Sequence, residues 1–140
     1  MKTSELARET WELLFALLTT AGLRVPSVAA ECGLTEAQCH LLRMLNPGEP
    51  VSMRSVADGL ACHASNITGI VDRLEERELV ERRPAPNDRR VKELVLTARG
   101  ARVRAKLVER LSEPPPPIAQ LSTRDQAALC AILRRAKGQT

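Results

Sequence analysis

Apolar residues recur at helical spacing along several separate stretches of this 140-residue chain. In the first stretch they recur every three or four positions over 6–23, which predicts a helix that Gly22 and Pro26 end. The order Thr-Glu-Ala-Gln over 35–38 is a capping box, so a second helix is predicted over 35–45.

The middle of the chain changes from helical to alternating spacing. Ser52 is placed to cap a predicted helix over 53–60, and a longer helix with one apolar side is predicted over 64–78. Strand-like alternation over 79–84 and 91–96 then flanks a polar loop, which indicates a β-hairpin. Helix, turn, helix and hairpin in this order predict a winged helix-turn-helix.

The last third of the chain returns to helical spacing. Thr97 caps a predicted helix to about residue 111, and the prolines at 114–117 stop it, because Pro removes amide donors and clashes with the preceding turn. A final helix is predicted over 122–136. With a strand stub at Val51, the predicted fold class is mainly α (α+β).

The composition restricts the kind of protein this can be. Apolar residues make up 44% of the chain, with one Trp, one Phe and no Tyr, so the core must be aliphatic. The longest apolar run, 13–18, is too short to cross a bilayer, and the first residues lack a secretory signal pattern. The four cysteines show no disulfide-framework or CxxC spacing. We therefore expect a cytoplasmic protein without membrane association.

The net charge of +4 hides a strong asymmetry along the sequence. Residues 1–81 hold 7 basic and 12 acidic side chains, a net of −5, whereas 82–110 hold 10 basic and 3 acidic, a net of +7. Such a positive block is typical of a surface that binds a polyanion, with a solvated basic helix face as the alternative. Because the block coincides with the predicted hairpin, we expect a nucleoid-associated protein whose partner is double-stranded DNA.

The longer helix of this predicted lobe has small and polar side chains at its N-terminal end. A duplex displays a distinct donor and acceptor pattern for each base pair in its major groove, which admits a helix. The residues predicted to contact DNA here are His63, Ser65, Asn66, Thr68, Gly69 and Arg73. Ser65, Asn66 and Thr68 are expected to read bases, while His63 and Arg73 hold the backbone. Capping of the helix is the alternative role for His63 or Ser65.

Basic residues crowd the tip of the predicted hairpin. They are Arg82, Arg83, Arg89, Arg90 and Lys92. An arginine in a narrow minor groove reads shape and negative potential, and we assign this role to Arg90 and a phosphate contact to Arg89. Asp88 is expected to brace the Arg90 guanidinium through a charge-assisted hydrogen bond.

Three linked pieces of sequence carry a family resemblance. They are SNITGIVDRLEERELVERRP, then NDRR with the D-x-R pair Asp88 and Arg90, then LTARG with the L-T-x-x-G set Leu96, Thr97 and Gly100. With the capping box and the apolar positions of the second helix, residues 34–111 resemble the MarR family of bacterial transcription regulators. The linked set is highly specific, whereas each piece alone is a weak signal.

The resemblance implies a homodimer in which the first helix and the last two helices of both subunits interlock. Residues 1–33 and 98–140 would then form a helical dimerisation region, and 34–97 the DNA-binding lobe. It further implies two lobes on a pseudo-palindromic operator, usually in a repressor that a small-molecule effector or an oxidant releases.

Three features depart from the family pattern. Glu78 stands where Gly is common at the end of the recognition helix, so it must adopt a left-handed conformation or the helix must end differently. Gly69 stands where a basic residue is frequent, which removes one contact to a base or phosphate. The prolines at 114–117 are unusual between the last two helices.

The family places a ligand pocket between the dimerisation region and the lobe. The polar or aromatic residues expected to face such a space are Trp11, Arg24, His40 and Asp58. For Trp11, the one Trp of the chain, core packing is the favoured alternative to ligand binding.

Other functions fit the sequence less well. Cys62-His63 and Cys39-His40 each place a thiol beside an imidazole, but adjacent helix positions point in different directions, so we do not expect an enzyme or a cofactor. Together with Cys32 they leave a metal-responsive or thiol-redox-responsive regulator of the same fold as an alternative, although no dedicated metal site is expected. A protein-interaction module without DNA binding leaves the +7 block unexplained.

Overall fold

A computed structural model describes residues 4–20, 24–61 and 66–138 of the chain. Its elements are α1 (Glu5–Thr20), α2 (Val25–Glu31), α3 (Glu36–Met44), β1 (Val51–Ser52), α4 (Met53–Leu60), α5 (Ile67–Glu76), β2 (Val80–Pro84), β3 (Lys92–Leu96), α6 (Ala98–Ser112), α7 (Pro116–Ala119) and α8 (Thr123–Ala136). The chain divides into two compact units. Residues 24–112 form the winged unit, and residues 1–23 with 113–140 form the terminal-helix unit.

Short polar side chains start helices α3, α4 and α6 of the winged unit, as the sequence predicts. Thr35 and Gln38 form a reciprocal capping box, in which each side chain accepts from the other residue's backbone amide at 3.2 and 3.0 Å. The Ser52 hydroxyl accepts from the amide of Ser55, and that of Thr97 from the amide of Gly100, at 3.1 and 2.9 Å. These bonds satisfy amides of the first turn that have no partner inside the helix.

The three strands of the described residues form an antiparallel sheet in the order β1-β3-β2. β2 and β3 are the predicted hairpin, with Arg82 opposite Leu94, and β1 adds a two-residue stub beside Leu94 on the other side. The hairpin confirms the wing of the predicted winged helix-turn-helix, and the mainly helical fold class is confirmed with it.

The core of the winged unit is aliphatic, as the composition predicts. Its largest fully buried side chains are Val28, Leu41, Leu42, Leu45, Val56, Leu60, Val71, Leu74, Leu79, Val80, Leu94 and Leu107. At one point the packing is closer than any side chain allows. A β-carbon on Gly100 of α6 would overlap the carbonyl oxygen of Leu79 and lie 2.8 Å from its carbonyl carbon. Because of that approach, the first turn of α6 rests directly on the corner between α5 and β2.

Two short helices, α2 and α7, were absent from the sequence prediction. Pro26 was expected to end a helix, but it lies in the first turn of α2, and two of the four consecutive prolines occupy the first turn of α7. Pro is well tolerated at these positions, because its missing N–H is one of the amides that a helix start leaves unpaired. The stop predicted after about residue 111 is confirmed by α6, which ends at Ser112.

The terminal-helix unit leaves its apolar side chains exposed. No described residue of α1, α7 or α8 is buried. The exposed large apolar side chains are Leu6, Trp11, Leu13, Phe15, Leu18, Leu121, Ile132 and Leu133. Trp11 and Phe15 pack against each other with ring centroids 6.4 Å apart, and a groove of about 370 Å³ runs along α7 and α8. Among the described residues, no helix is long and apolar enough to span a membrane.

The division by compactness differs from the predicted functional division at residues 33 and 98. Helix α6 is held in the winged unit by Arg110, which pairs with Glu31 of α2 at 3.0 Å, and by Arg104, which donates to Asn46 at 3.1 Å. A dimerisation region over 1–33 and 98–140 therefore shares helices with the winged core, and its role in assembly stays a prediction.

Candidate nucleic-acid interface

Helix α5 presents one face to the core and the opposite face to solvent. Val71 and Leu74 are buried, whereas Asn66 and Arg73 are exposed. Asn66, Gly69 and Arg73 are spaced at i, i+3 and i+7, so they share one stripe on the outer face. This stripe belongs to the helix that the sequence assigned to the major groove.

The N-terminal end of α5 begins later than predicted. Helix α5 starts at Ile67 rather than at Ala64. Its N-cap is Asn66, whose Oδ1 accepts from the amide of Gly69 at 3.1 Å. Asn is among the strongest N-cap residues, which explains the shift. The predicted contacts His63 and Ser65 lie outside the described residues.

The C-terminal end of α5 resolves the question raised by Glu78. Its φ is +58°, in the left-handed region, and its amide donates to the carbonyl of Glu75 at 2.9 Å while the amide of Leu79 donates to that of Leu74 at 3.0 Å. This pair of bonds is a Schellman motif, which normally has glycine in the left-handed position. Of the two possibilities that the sequence left open, Glu78 therefore adopts the left-handed conformation, and the helix does not end in a different way.

Arg82 of β2 joins the wing to the recognition helix. Its guanidinium donates to Asp72 and, at 3.1 Å, to Glu75, both on α5. Its Nη2 also lies 3.4 Å from the carbonyl oxygen of Thr68, and its backbone amide donates to Glu75 at 2.9 Å. The sequence placed Arg82 among the DNA-facing residues of the hairpin tip, but its side chain lies against α5 instead. The signal in the sequence for this contact was the acidic pair Asp72 and Glu75, which are three residues apart and therefore share one face of α5.

Other basic side chains of this region have no acidic partner within the described chain. They are Arg73, Arg89, Arg90 and Lys92, all of which are exposed. Arg83 is also exposed, and its hydrogen bond with Glu81 raises its pKa. Arg77, by contrast, donates to the carbonyl of Gly33 at 2.6 Å, so it anchors the end of α5 to the turn before α3. The unpaired cations therefore belong to the outer stripe of α5 and to the wing.

Asp88 supports Arg90 by a different contact from the one expected. Its Oδ1 accepts from the backbone amide of Arg90 at 3.0 Å, and no described hydrogen bond joins the carboxylate to the guanidinium. Asp commonly bonds to the backbone two residues further on, which shapes a turn. Asp88 thus fixes the backbone at the wing tip and leaves the Arg90 guanidinium exposed.

The four residues predicted to line a ligand pocket are distributed over both units. Trp11 is 61% exposed on α1, so the packing alternative does not hold within a single chain. In the winged unit, Arg24 precedes α2, His40 is half-buried on α3, and Asp58 is exposed on α4. Their role in ligand binding stays a prediction.

The described thiols differ in accessibility. Cys39 is buried, and burial raises its pKa to about 11, while Cys32 is half-buried and Cys130 exposed. Cys62, part of both the metal and redox alternatives, lies outside the described residues. Over 4–20, 24–61 and 66–138, no three His, Cys, Asp or Glu side chains are grouped to hold a metal ion.

The geometry agrees with comparisons to known proteins. Residues 34–92 match the model of the MarR family. The curated HTH-type transcriptional regulator YfiV of Bacillus subtilis is 31% identical over 103 residues, which cover 74% of this chain and 64% of that protein. This chain therefore spans slightly less than two thirds of that relative.

Solved structures extend the match to the whole fold. Transcriptional regulator Tm0710 of Thermotoga maritima is 26% identical, with a TM-score of 0.73 over 94% of this chain and 93% of that one. A mutant MepR of S. aureus, solved bound to an oligodeoxyribonucleotide, has a TM-score of 0.64 at 19% identity over 91% and 96% of the two chains. At that identity the likeness shows the fold alone. Residues 34–92 of this chain are thus similar to the MarR family of transcription regulators, and its fold is that of solved transcriptional regulators.

Proposed function

We propose that this protein is a homodimeric, sequence-specific DNA-binding repressor that acts in the cytoplasm on a pseudo-palindromic operator. The single observation that carries the proposal is the arrangement of unpaired cations. Arg73 on α5 and Arg89, Arg90 and Lys92 on the wing are exposed without acidic partners, whereas Arg82 is engaged inside the lobe. Cations left free on a helix and an adjacent hairpin suit phosphates along one face of a duplex.

Two further facts support DNA as the polyanion. The fold of this chain is similar to that of a mutant MepR, which was solved bound to an oligodeoxyribonucleotide. The outer stripe of α5 offers small side chains next to the exposed wing, so the helix can enter a major groove while the wing lies beside it. In this arrangement Asn66 and Thr68 read bases, Arg73 and Arg89 hold phosphates, and Arg90 enters the minor groove.

The test is the salt dependence of binding to an operator selected from a random duplex pool. Arg90→Ala is expected to weaken binding and to reduce the slope of log affinity against log salt by about 0.9 per protomer, because a cation in the minor groove neutralises about one phosphate charge and this neutralisation is lost. Arg124→Ala, which removes an equal charge from α8, is the matched control and should leave the slope unchanged. If the two variants behave alike, the assigned DNA-binding surface is wrong.

Dimerisation is supported by the apolar surface of the terminal helices. Trp11 and Leu13 are 61% and 65% exposed, and Phe15 and Ile132 are 56% and 51% exposed. Large apolar side chains exposed in this number are typical of a protein–protein interface. A second copy of the chain, offering the same helices, would bury them, and two lobes would then read half-sites about 10 bp apart.

Sedimentation velocity tests the dimer. Phe15→Glu is expected to shift the protein to a monomer, because a charge would be buried without a partner. Val91→Glu, which replaces an apolar wing residue that is 41% exposed, is the control and should sediment as a dimer. A monomeric unmodified protein at micromolar concentration would contradict this part of the proposal.

Release by a small-molecule effector is proposed from the family resemblance. Titration of candidate effectors into the protein–operator complex tests it, with dissociation as the expected result. Among the described thiols, an oxidant-driven release is less favoured at Cys39, which is buried and has a raised pKa, than at the exposed Cys130. The family is generally non-enzymatic, and we propose no catalytic activity.

A further inference from the structure

The first turn of α5 seats the Asn66 side chain in one orientation. Its Oδ1 accepts from the amide of Gly69 at 3.1 Å. The carboxamide lies so close to Gly69 that a β-carbon there would overlap its Nδ2 and lie 2.9 Å from both Cγ and Oδ1. Gly69 therefore does more than omit a basic contact, because any other residue at this position would displace the carboxamide.

The cap also fixes which end of the carboxamide faces outward. A backbone N–H is a donor, so the oxygen must point toward it and the amide nitrogen is left free. Within the described chain Nδ2 has no acceptor, and Asn66 is exposed. Two N–H donors are thus presented to solvent at the N-terminal end of α5, on the stripe that includes Arg73.

We propose that Asn66 reads bases as a hydrogen-bond donor only, and that Gly69 is a specificity-determining residue because it holds Asn66 in that orientation. The inference rests on the proposed DNA-binding function. In the major groove, guanine and thymine present acceptors, adenine presents an acceptor and a donor, and cytosine presents only a donor. A donor-only Asn66 accepts guanine, thymine or adenine on the strand it contacts and discriminates against cytosine.

The experiment is selection of bound duplexes from a random pool by full-length unmodified protein, Asn66→Asp and Gly69→Ala in parallel. The unmodified protein is expected to deplete cytosine about fivefold at one position of each half-site, the effect of one hydrogen bond. Asp caps a helix as well as Asn does, but its carboxylate offers only acceptors. Asn66→Asp is therefore expected to deplete guanine and thymine at the same position of the half-site. Gly69→Ala is expected to remove the preference among the four bases at that position.

Arg73→Gln serves as a control on the same stripe, and it is expected to lower affinity on all duplexes without changing the preferred base. Thermal unfolding checks that each variant is folded. If Gly69→Ala does not fold, the base preference of Asn66→Asp alone tests the inference. The same depletion pattern for Asn66→Asp and unmodified protein overturns the inference while leaving DNA binding intact. If the unmodified protein enriches no motif, the proposed function is overturned and the inference with it.

Discussion

Substitution of Arg82 tests whether this residue positions the wing or contacts DNA. In Arg82→Gln the guanidinium contacts to Asp72 and Glu75 are lost, while the backbone bond from position 82 to Glu75 can remain. The side chains of Arg82, Asp72 and Glu75 are 27%, 49% and 38% exposed, so solvent screens these ion pairs. The expected loss is therefore about 1–2 kcal/mol in the free energy of unfolding, well below the roughly 3–5 kcal/mol typical of breaking a buried pair.

The consequence for DNA binding follows from the same contacts. When the wing is no longer tied to α5, the free energy of holding it in place must be supplied on binding, so operator affinity should fall by about 5- to 30-fold. The number of phosphates neutralised does not change. The slope of log affinity against log salt should consequently stay constant, whereas loss of a true phosphate contact lowers it by about 0.9 per protomer.

Fluorescence anisotropy over a series of salt concentrations measures both quantities, and thermal unfolding gives the stability. Arg90→Gln is the comparison variant, and it should lower the slope with little effect on stability. A charge exchange, Arg82→Asp with Asp72→Arg, should recover part of the stability lost in Arg82→Asp alone. If Arg82→Gln reduces the salt slope as Arg90→Gln does, Arg82 leaves α5 for a phosphate in the complex and the positioning argument is wrong.

Three further outcomes are expected. Glu78→Gly should raise the free energy of unfolding by about 0.5–1 kcal/mol in chemical denaturation, because glycine adopts the left-handed conformation without strain; a loss of stability would contradict this. Gly100→Ala should lower it by more than about 3 kcal/mol, since the added carbon meets the Leu79 carbonyl, and a near-neutral effect would show that α6 can shift. Cys39 should resist alkylation at pH 8 while Cys130 reacts, because the pKa of Cys39 is about 11 and keeps Cys39 a thiol. The stability that the neutral Cys39 thiol contributes is present below the ordinary pKa of 9.0 and should be lost as pH rises toward 11.

Local signals in the sequence predicted those parts of the fold that depend on a few neighbouring residues. The caps at Thr35, Ser52 and Thr97 each need only a hydroxyl and an amide three residues on, so they are legible without tertiary structure. Pro26 was misread because one residue type can either end a helix or occupy its first turn.

The candidate site was less predictable, because the same side chains serve structure and function. Arg82 is the first of the basic residues that the sequence assigns to a DNA-binding hairpin tip, and only the placement of β2 beside α5 shows that Asp72 and Glu75 engage it. Asn66 is likewise both a strong cap and a good base reader, and the sequence does not rank these roles. The position of Gly69 under its carboxamide required coordinates.

The contacts along β2 also have a consequence for colloidal behaviour. β2 is an outer strand, and such strands invite another chain to pair with their free amides. Here the amide of Arg82 is already bonded to the Glu75 carboxylate, and Pro84 has no amide proton to offer. The charged residues Glu81 and Arg83 flank Arg82 on the same strand. The wing can therefore protrude toward a ligand without serving as a template for fibril growth, even where many copies are crowded together.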